Sequence, residues 1–137
     1  MPHDPARVAE ARSWFAKAAA DLRAGQVALR AKPPLLAHAV FDAQQAVEKS
    51  MKGFLAWHDR PFRKTHNLVE LGETCVAIEA RLSEVLRSAA PLTEYAWRFR
   101  YPGDPSEPSP QESEEALETA RAAHEAILQR LPAELHP

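Results

Sequence analysis

The sequence predicts an all-α fold, an up-and-down antiparallel bundle of four main helices with short helical pieces. Three observations carry this. Apolar residues recur at alternating spacings of three and four in four separate stretches, the period of a single helix face. Most of the 12 prolines cluster between those stretches, where they stop helices. No stretch alternates with period two and β-branched enrichment, so no sheet is expected.

Asp4-Pro5 opens the first helix, with Asp4 as cap and Pro5 at the first helical position. Its stripe runs Val8, Ala11, Phe15, Ala18, Leu22, Gly25 and Leu29, flanked by Trp14, and Lys32-Pro33-Pro34 ends it after about Ala31. The second helix occupies Leu35–His58, with a seam of Leu36, Val40, Ala43, Val47, Met51 and Phe54 widened by Leu55. The short connection between two long helices makes them antiparallel neighbours. Gln44, Gln45, Glu48, Lys49 and Lys52 form the opposite side, where Glu48 and Lys52 are placed to pair on an exposed face for ~0.3 kcal/mol.

His58 to Asn67 is a polar loop with a basic centre. Thr65 or Asn67 caps a third helix carrying Leu68, Leu71, Cys75 and Ile78, and Leu82, Val85 and Leu86 continue it or restart near Ser83. Pro91 breaks that run, and Leu92 to Arg100 reads as another turn or two of helix. Residues 101–110 are too rich in Pro, Gly and Ser for regular structure and form a surface loop. Ser109, Pro110 and Glu112 are the cap, first position and capping-box acid of a last helix. Its stripe is Leu117, Ala120, His124, Ile127 and Leu131, Pro132 ends it, and residues 132–137 read as a frayed tail.

With 137 residues, 45% of them apolar and 26% charged, residues 1–137 suffice for one globular domain with one core. The net charge of −2 gives no whole-chain attraction for nucleic acid or anionic membrane. No apolar run approaches the ~20 residues that span a bilayer, so no membrane association is expected. The single cysteine, Cys75, allows no internal disulfide. With an N-terminus lacking an apolar leader, this fits a cytoplasmic protein.

No cofactor fingerprint is present: the four glycines form neither a dinucleotide nor a phosphate loop. No HExxH, His pair at i, i+4 or Glu-x-x-His pair occurs, so no metal site is expected. His124, inside an apolar stripe, reads as a hydrogen-bonded core or interface histidine. Cys75, on an inner stripe, reads as an inert buried thiol. The basic groups hold the remaining chemistry. Arg60, Arg63, Lys64 and His66 cluster in the loop, and Trp97-Arg98-Phe99-Arg100-Tyr101 interleaves aromatic and basic side chains. Guanidinium forks match phosphate oxygens and aromatic faces stack on bases, so this pattern suits a nucleotide or RNA. A metal-free ribonuclease needs a histidine base with an arginine for phosphate, and Arg60 and His66 have that spacing.

Four segments resemble a known family: ARSWFAKAAADLRAG, FDAQQAVEKSMKGFLAW, THNLVEL and RFRYPGD, in this order. The chain resembles the HEPN domain family (higher eukaryotes and prokaryotes nucleotide-binding domain), minimal prokaryotic type, from about Val8 to Leu131. The resemblance implies a helical bundle that forms homodimers and pairs with a nucleotidyltransferase in toxin–antitoxin-like modules. Some members are ribonucleases, and nucleotide binding has been proposed for others. The family-typical residues here are Gln44, Gln45, Glu48, Lys49, Lys52, His66, Asn67, Arg100, Tyr101 and Pro102. Ribonuclease members carry Arg, four to six residues, then His in a late helix, whereas here no histidine follows Arg100 before His124.

The expectation is therefore a non-enzymatic, homodimeric partner of a nucleotidyltransferase protein, with nucleotide or RNA as candidate ligand. Lys49, Lys52, His66, Arg98, Arg100 and Tyr101 are the candidate ligand-binding residues, and Lys49, Lys52, His66 and Arg100 are expected to share one cleft. The alternatives are a metal-independent ribonuclease toxin using His66 and Arg60, with Arg100 as a second phosphate group, and a purely structural dimerisation module.

Overall fold

A computed structural model describes residues 3–103 and 106–137. Among the described residues, five α-helices and three 3-10 turns make up the regular structure, and there is no strand. The all-α class read from the sequence is the fold observed.

Helix α1 (Pro5–Arg30) starts where the Asp4 carboxylate accepts the Ala6 N–H at 3.0 Å. It buries Ala11, Phe15, Ala18, Leu22, Gly25 and Ala28. After the Pro33-Pro34 connection, α2 (Leu36–Trp57) runs back along it. Close approach of helices is built into the sequence. A Cβ on Gly25 would lie 2.5 Å from Leu117 Cδ2, and one on Gly53 would lie 2.8 Å from Phe15 Cζ. Both distances are below any real contact, so glycine is what lets α2 and the helix that carries Leu117 seat against α1.

Helix α3 (Leu68–Ile78) begins at Asn67, whose side-chain oxygen accepts from the N–H groups of Val69 and Glu70. It breaks at Glu79, passes through a 3-10 turn (Ala80–Leu82) and restarts as α4 (Ser83–Ala89). A second 3-10 segment (Ala90–Ala96) follows, beginning next to Pro91. Helix α5 (Pro110–Leu128) is capped by Ser109 Oγ, which accepts the Glu112 N–H at 3.0 Å. The capping-box acid has a different role from the one expected: the Glu112 carboxylate receives the Tyr95 hydroxyl and so ties α5 to the 3-10 segment. In the expected 101–110 loop, Tyr101 to Gly103 form bends and turns, and residues 106–109 have no regular structure. Asp104 and Pro105 lie outside the described residues.

Helix α2 is the centre, packed against α1, α5, α3 and the Ala90–Ala96 segment. Its seam is buried as the periodicity requires, but so is much of its polar side: Gln44 is 0% exposed, Glu48 4% and Lys52 8%. The exposed Glu48–Lys52 pair expected from helical spacing is thus a buried one. The reason is that the 58–67 loop folds back across α2, with Phe62 packed on the core and in edge contact with Trp14 of α1.

The tail also departs from expectation. Residues 133–135 form a third 3-10 turn, Leu135 is fully buried, and His136 Nε2 bonds the Leu128 carbonyl at 2.7 Å. The residues after Pro132 hold their place because one leucine completes the core and a ring nitrogen adds a second hydrogen bond to the Leu128 carbonyl, which already accepts the Leu131 N–H at 3.1 Å.

Candidate functional site

The family-typical polar residues divide into three groups. The first centres on Glu48. Its Oε2 accepts from Lys52 Nζ at 2.9 Å, and its Oε1 accepts from Gln44 Nε2 at 3.1 Å and from His66 Nδ1 at 2.7 Å. Gln44 also donates to the His66 carbonyl at 3.3 Å, so two residues of α2 pin the loop. Burial pushes the Glu48 carboxyl up, but the hydrogen bonds from Lys52, His66 and Gln44 outweigh it and hold it below 4.5. Lys52 Nζ lies 5.8 Å from the ring centres of both Trp14 and Phe62, so its charge is enclosed by a carboxylate and two aromatic faces. The His66 ring, in contrast, is 64% exposed while bonded to a carboxylate that is 5% exposed.

The second group lies one turn along α2. Lys49 Nζ pairs with Asp21 of α1 at 2.7 Å. Burial, and then repulsion from Asp21, raise the nearby Asp42 carboxyl to about 6, against the opposing pull of His38 and Lys49. Lys49 and Lys52 therefore point to different partners.

The third group surrounds Arg100. Its guanidinium lies 4.0 Å from the Phe41 ring centre and donates to the Ala96 carbonyl at 2.8 Å. Ala37, His38, Phe41, Phe99 and Arg100 line a cavity of 260 Å³. The Phe99 ring stacks on Tyr95, and Trp97 and Tyr101 stand 55% and 63% exposed nearby in sequence. Arg98 pairs instead with Glu94 at 2.9 Å.

The four residues expected to share one cleft have separate immediate partners: Arg100 meets Phe41, Lys52 and His66 meet Glu48, and Lys49 meets Asp21. Arg60 is exposed, with no hydrogen bond to His66 among the described residues, and Arg63 pairs with Glu70 at 2.8 Å. The histidine and cysteine readings agree with the structure. Ser50 Oγ donates to the Ala46 carbonyl at 2.8 Å, so His124 Nδ1 donates to Ser50 Oγ at 2.8 Å. Burial lowers the His124 pKa, keeping the ring neutral. Burial pushes the Cys75 thiol up to about 12. Sequence reasoning missed Phe41 and His38 as companions of Arg100. Their spacing of three, which puts both on one face of α2, was the available signal.

Fold and geometry together define a small all-α domain with an exposed arginine–aromatic cavity and a histidine-capped buried carboxylate. The chain belongs to the HEPN domain family, whose model matches residues 11–131, nearly the whole chain. Membership points to a nucleotide- or RNA-related function. No curated protein and no solved structure matches the chain. No helix among the described residues is long and apolar enough to cross a membrane.

Proposed function

We propose that this HEPN domain is a non-catalytic binding subunit. It forms a homodimer, holds nucleotide or RNA at the Arg100 cavity, and partners a nucleotidyltransferase in a toxin–antitoxin-like module. The observation that supports binding is the Arg100 guanidinium held over Phe41 in the lining of a cavity shared with His38. A guanidinium presents paired donors to phosphate oxygens, and exposed rings such as Tyr101 and Trp97 offer stacking faces for a base. Lys49, Lys52 and Arg98 already face carboxylates and are not available to phosphate without losing those pairs. The partner and dimer parts of the reading come from the family resemblance. The test is a calorimetric titration with ATP, GTP and a short single-stranded RNA. Arg100→Ala should weaken binding about tenfold or more, the worth of a charge-assisted contact. Unchanged binding overturns the site.

One observation favours a second reading, a metal-independent ribonuclease. A carboxylate on Nδ1 of an exposed imidazole, as Glu48 provides for His66, is the arrangement that orients a general base. This protein would cleave RNA in the presence of a chelator and lose that activity in His66→Ala. Cleavage by both proteins, or by neither, rejects it.

A further inference from the structure

Gly25 and Gly53 are required by close packing, but Gly72 is not. A Cβ on Gly72 would meet Met51 Cε at 3.5 Å and Leu86 Cβ at 3.9 Å, ordinary contacts, and no glycine has a positive φ. Glycine in mid-helix lowers helix stability relative to alanine. What it does provide is a deep floor for a groove of 360 Å³ between α3 and α4. The α3 wall carries Val69, Glu73 and Val76, and the α4 wall carries Ser83, Leu86 and Arg87.

Two features of this patch come in complementary pairs. Val69 is 49% exposed, an apolar knob beside an apolar hollow. Glu73 and Arg87, one on each wall, are exposed, and neither joins an ion pair among the described residues. Arg87 reaches only the neutral Ser83 hydroxyl, at 3.3 Å. An interface between two copies related by a two-fold axis must be complementary to itself, and a patch bearing both a knob and a hole, and both an acid and a base, has the features this requires. We propose that the α3–α4 groove is the surface through which two copies of this chain pair. Val69 of each copy seats over Gly72 of the other, and Glu73 of each faces Arg87 of the other. This rests on the homodimer part of the function proposed above and names the surface that makes it. A second exposed apolar patch, Ala20, Ala24 and Val27 on α1, lies in a hollow that carries a base, Arg23, but no acid. Docking it into the groove would be a head-to-tail contact, which leaves an unsatisfied groove on every chain end.

Sedimentation velocity of the full chain over a concentration series tests this, with circular dichroism confirming that each variant folds. Glu73→Arg and Arg87→Glu each place like charges across the interface twice, and each should raise the dimer Kd at least about tenfold. The double variant, Glu73→Arg with Arg87→Glu, restores opposite charges and should return the Kd to near the wild-type value. A wild-type chain that stays monomeric overturns both the surface and the homodimer. A wild-type dimer indifferent to both single reversals overturns the surface alone. Failure of the double variant to recover overturns the reciprocal pairing.

Discussion

Replacing Glu48 by glutamine keeps the shape of the side chain and removes its charge, so it isolates the ionic part of the network on α2. In the wild type the carboxylate is 5% exposed and holds Lys52 at 2.9 Å and His66 at 2.7 Å. In Glu48→Gln the Lys52 ammonium, itself 10% exposed, is left with neutral groups and two aromatic rings. Stranding one partner of a buried pair costs about 3–5 kcal/mol. The flexible lysine stem keeps a route to water, which places the loss near the lower end, about 3 kcal/mol. For a chain of this size that is roughly 10 °C in Tm. The pH dependence adds a second arm. The Glu48 carboxyl is held below 4.5, so its contribution is complete above that value and is lost as pH falls through the lower folded value. Thermal unfolding followed by circular dichroism should show the full gap between wild type and variant at neutral pH. The gap should narrow on acidification through that lowered value, as the wild-type carboxylate itself becomes protonated. A gap that is absent at neutral pH, or that stays constant on acidification, refutes the reasoning.

Glycine substitutions should split by site in urea unfolding. Gly72→Ala gains about 0.5–1 kcal/mol from helix propensity, while Gly53→Ala loses about 1–3 kcal/mol by driving a methyl into Phe15. Ser50→Ala leaves His124 Nδ1 without its buried partner and should lower stability by about 1–3 kcal/mol in the same assay. Because burial holds His124 below its ordinary 6.5, the folded state resists protonation there, and stability falls as pH drops below 6.5. His124→Asn should flatten that part of a stability-against-pH curve. Cys75, with its thiol pushed up to about 12, should ignore a disulfide reagent in the native protein and react fully once urea unfolds it.

Helix ends were the most legible part of the chain, since Asp4-Pro5, Asn67 and Ser109-Pro110 act through backbone chemistry that depends on a few adjacent residues. The α2 seam was equally legible, because apolar spacing reports one buried face directly. The polar side of α2 was misread for a reason that spacing cannot carry. Glu48 and Lys52 are buried by a loop packed from outside the helix, and only the tertiary meeting of Trp14 with Phe62 closes it. The tail was misread because Leu135 is a single apolar residue with no periodic neighbours to announce it. For the site, residue types were visible and assembly was not: Lys49 and Lys52 stand three apart, yet each has its own acid, Asp21 and Glu48. The arginines Arg98 and Arg100 looked like one basic unit and take different polar partners, Glu94 and the Ala96 carbonyl.

That last separation traces to Phe99, whose φ of 69° places a bulky residue in the left-handed region. The chain stops winding there, and the Ala96 carbonyl receives the Arg100 guanidinium, at the position where a continuing α-helix would offer it the Arg100 N–H. The same side chain that faces the cavity is thus the stopper of the preceding helical segment. A phosphate that drew the guanidinium outward would unstop that segment, exposing an unpaired carbonyl one residue from Tyr95 and its tie to α5. Occupancy of the cavity would then be felt at the N-terminus of α5, where Glu112 holds that tie.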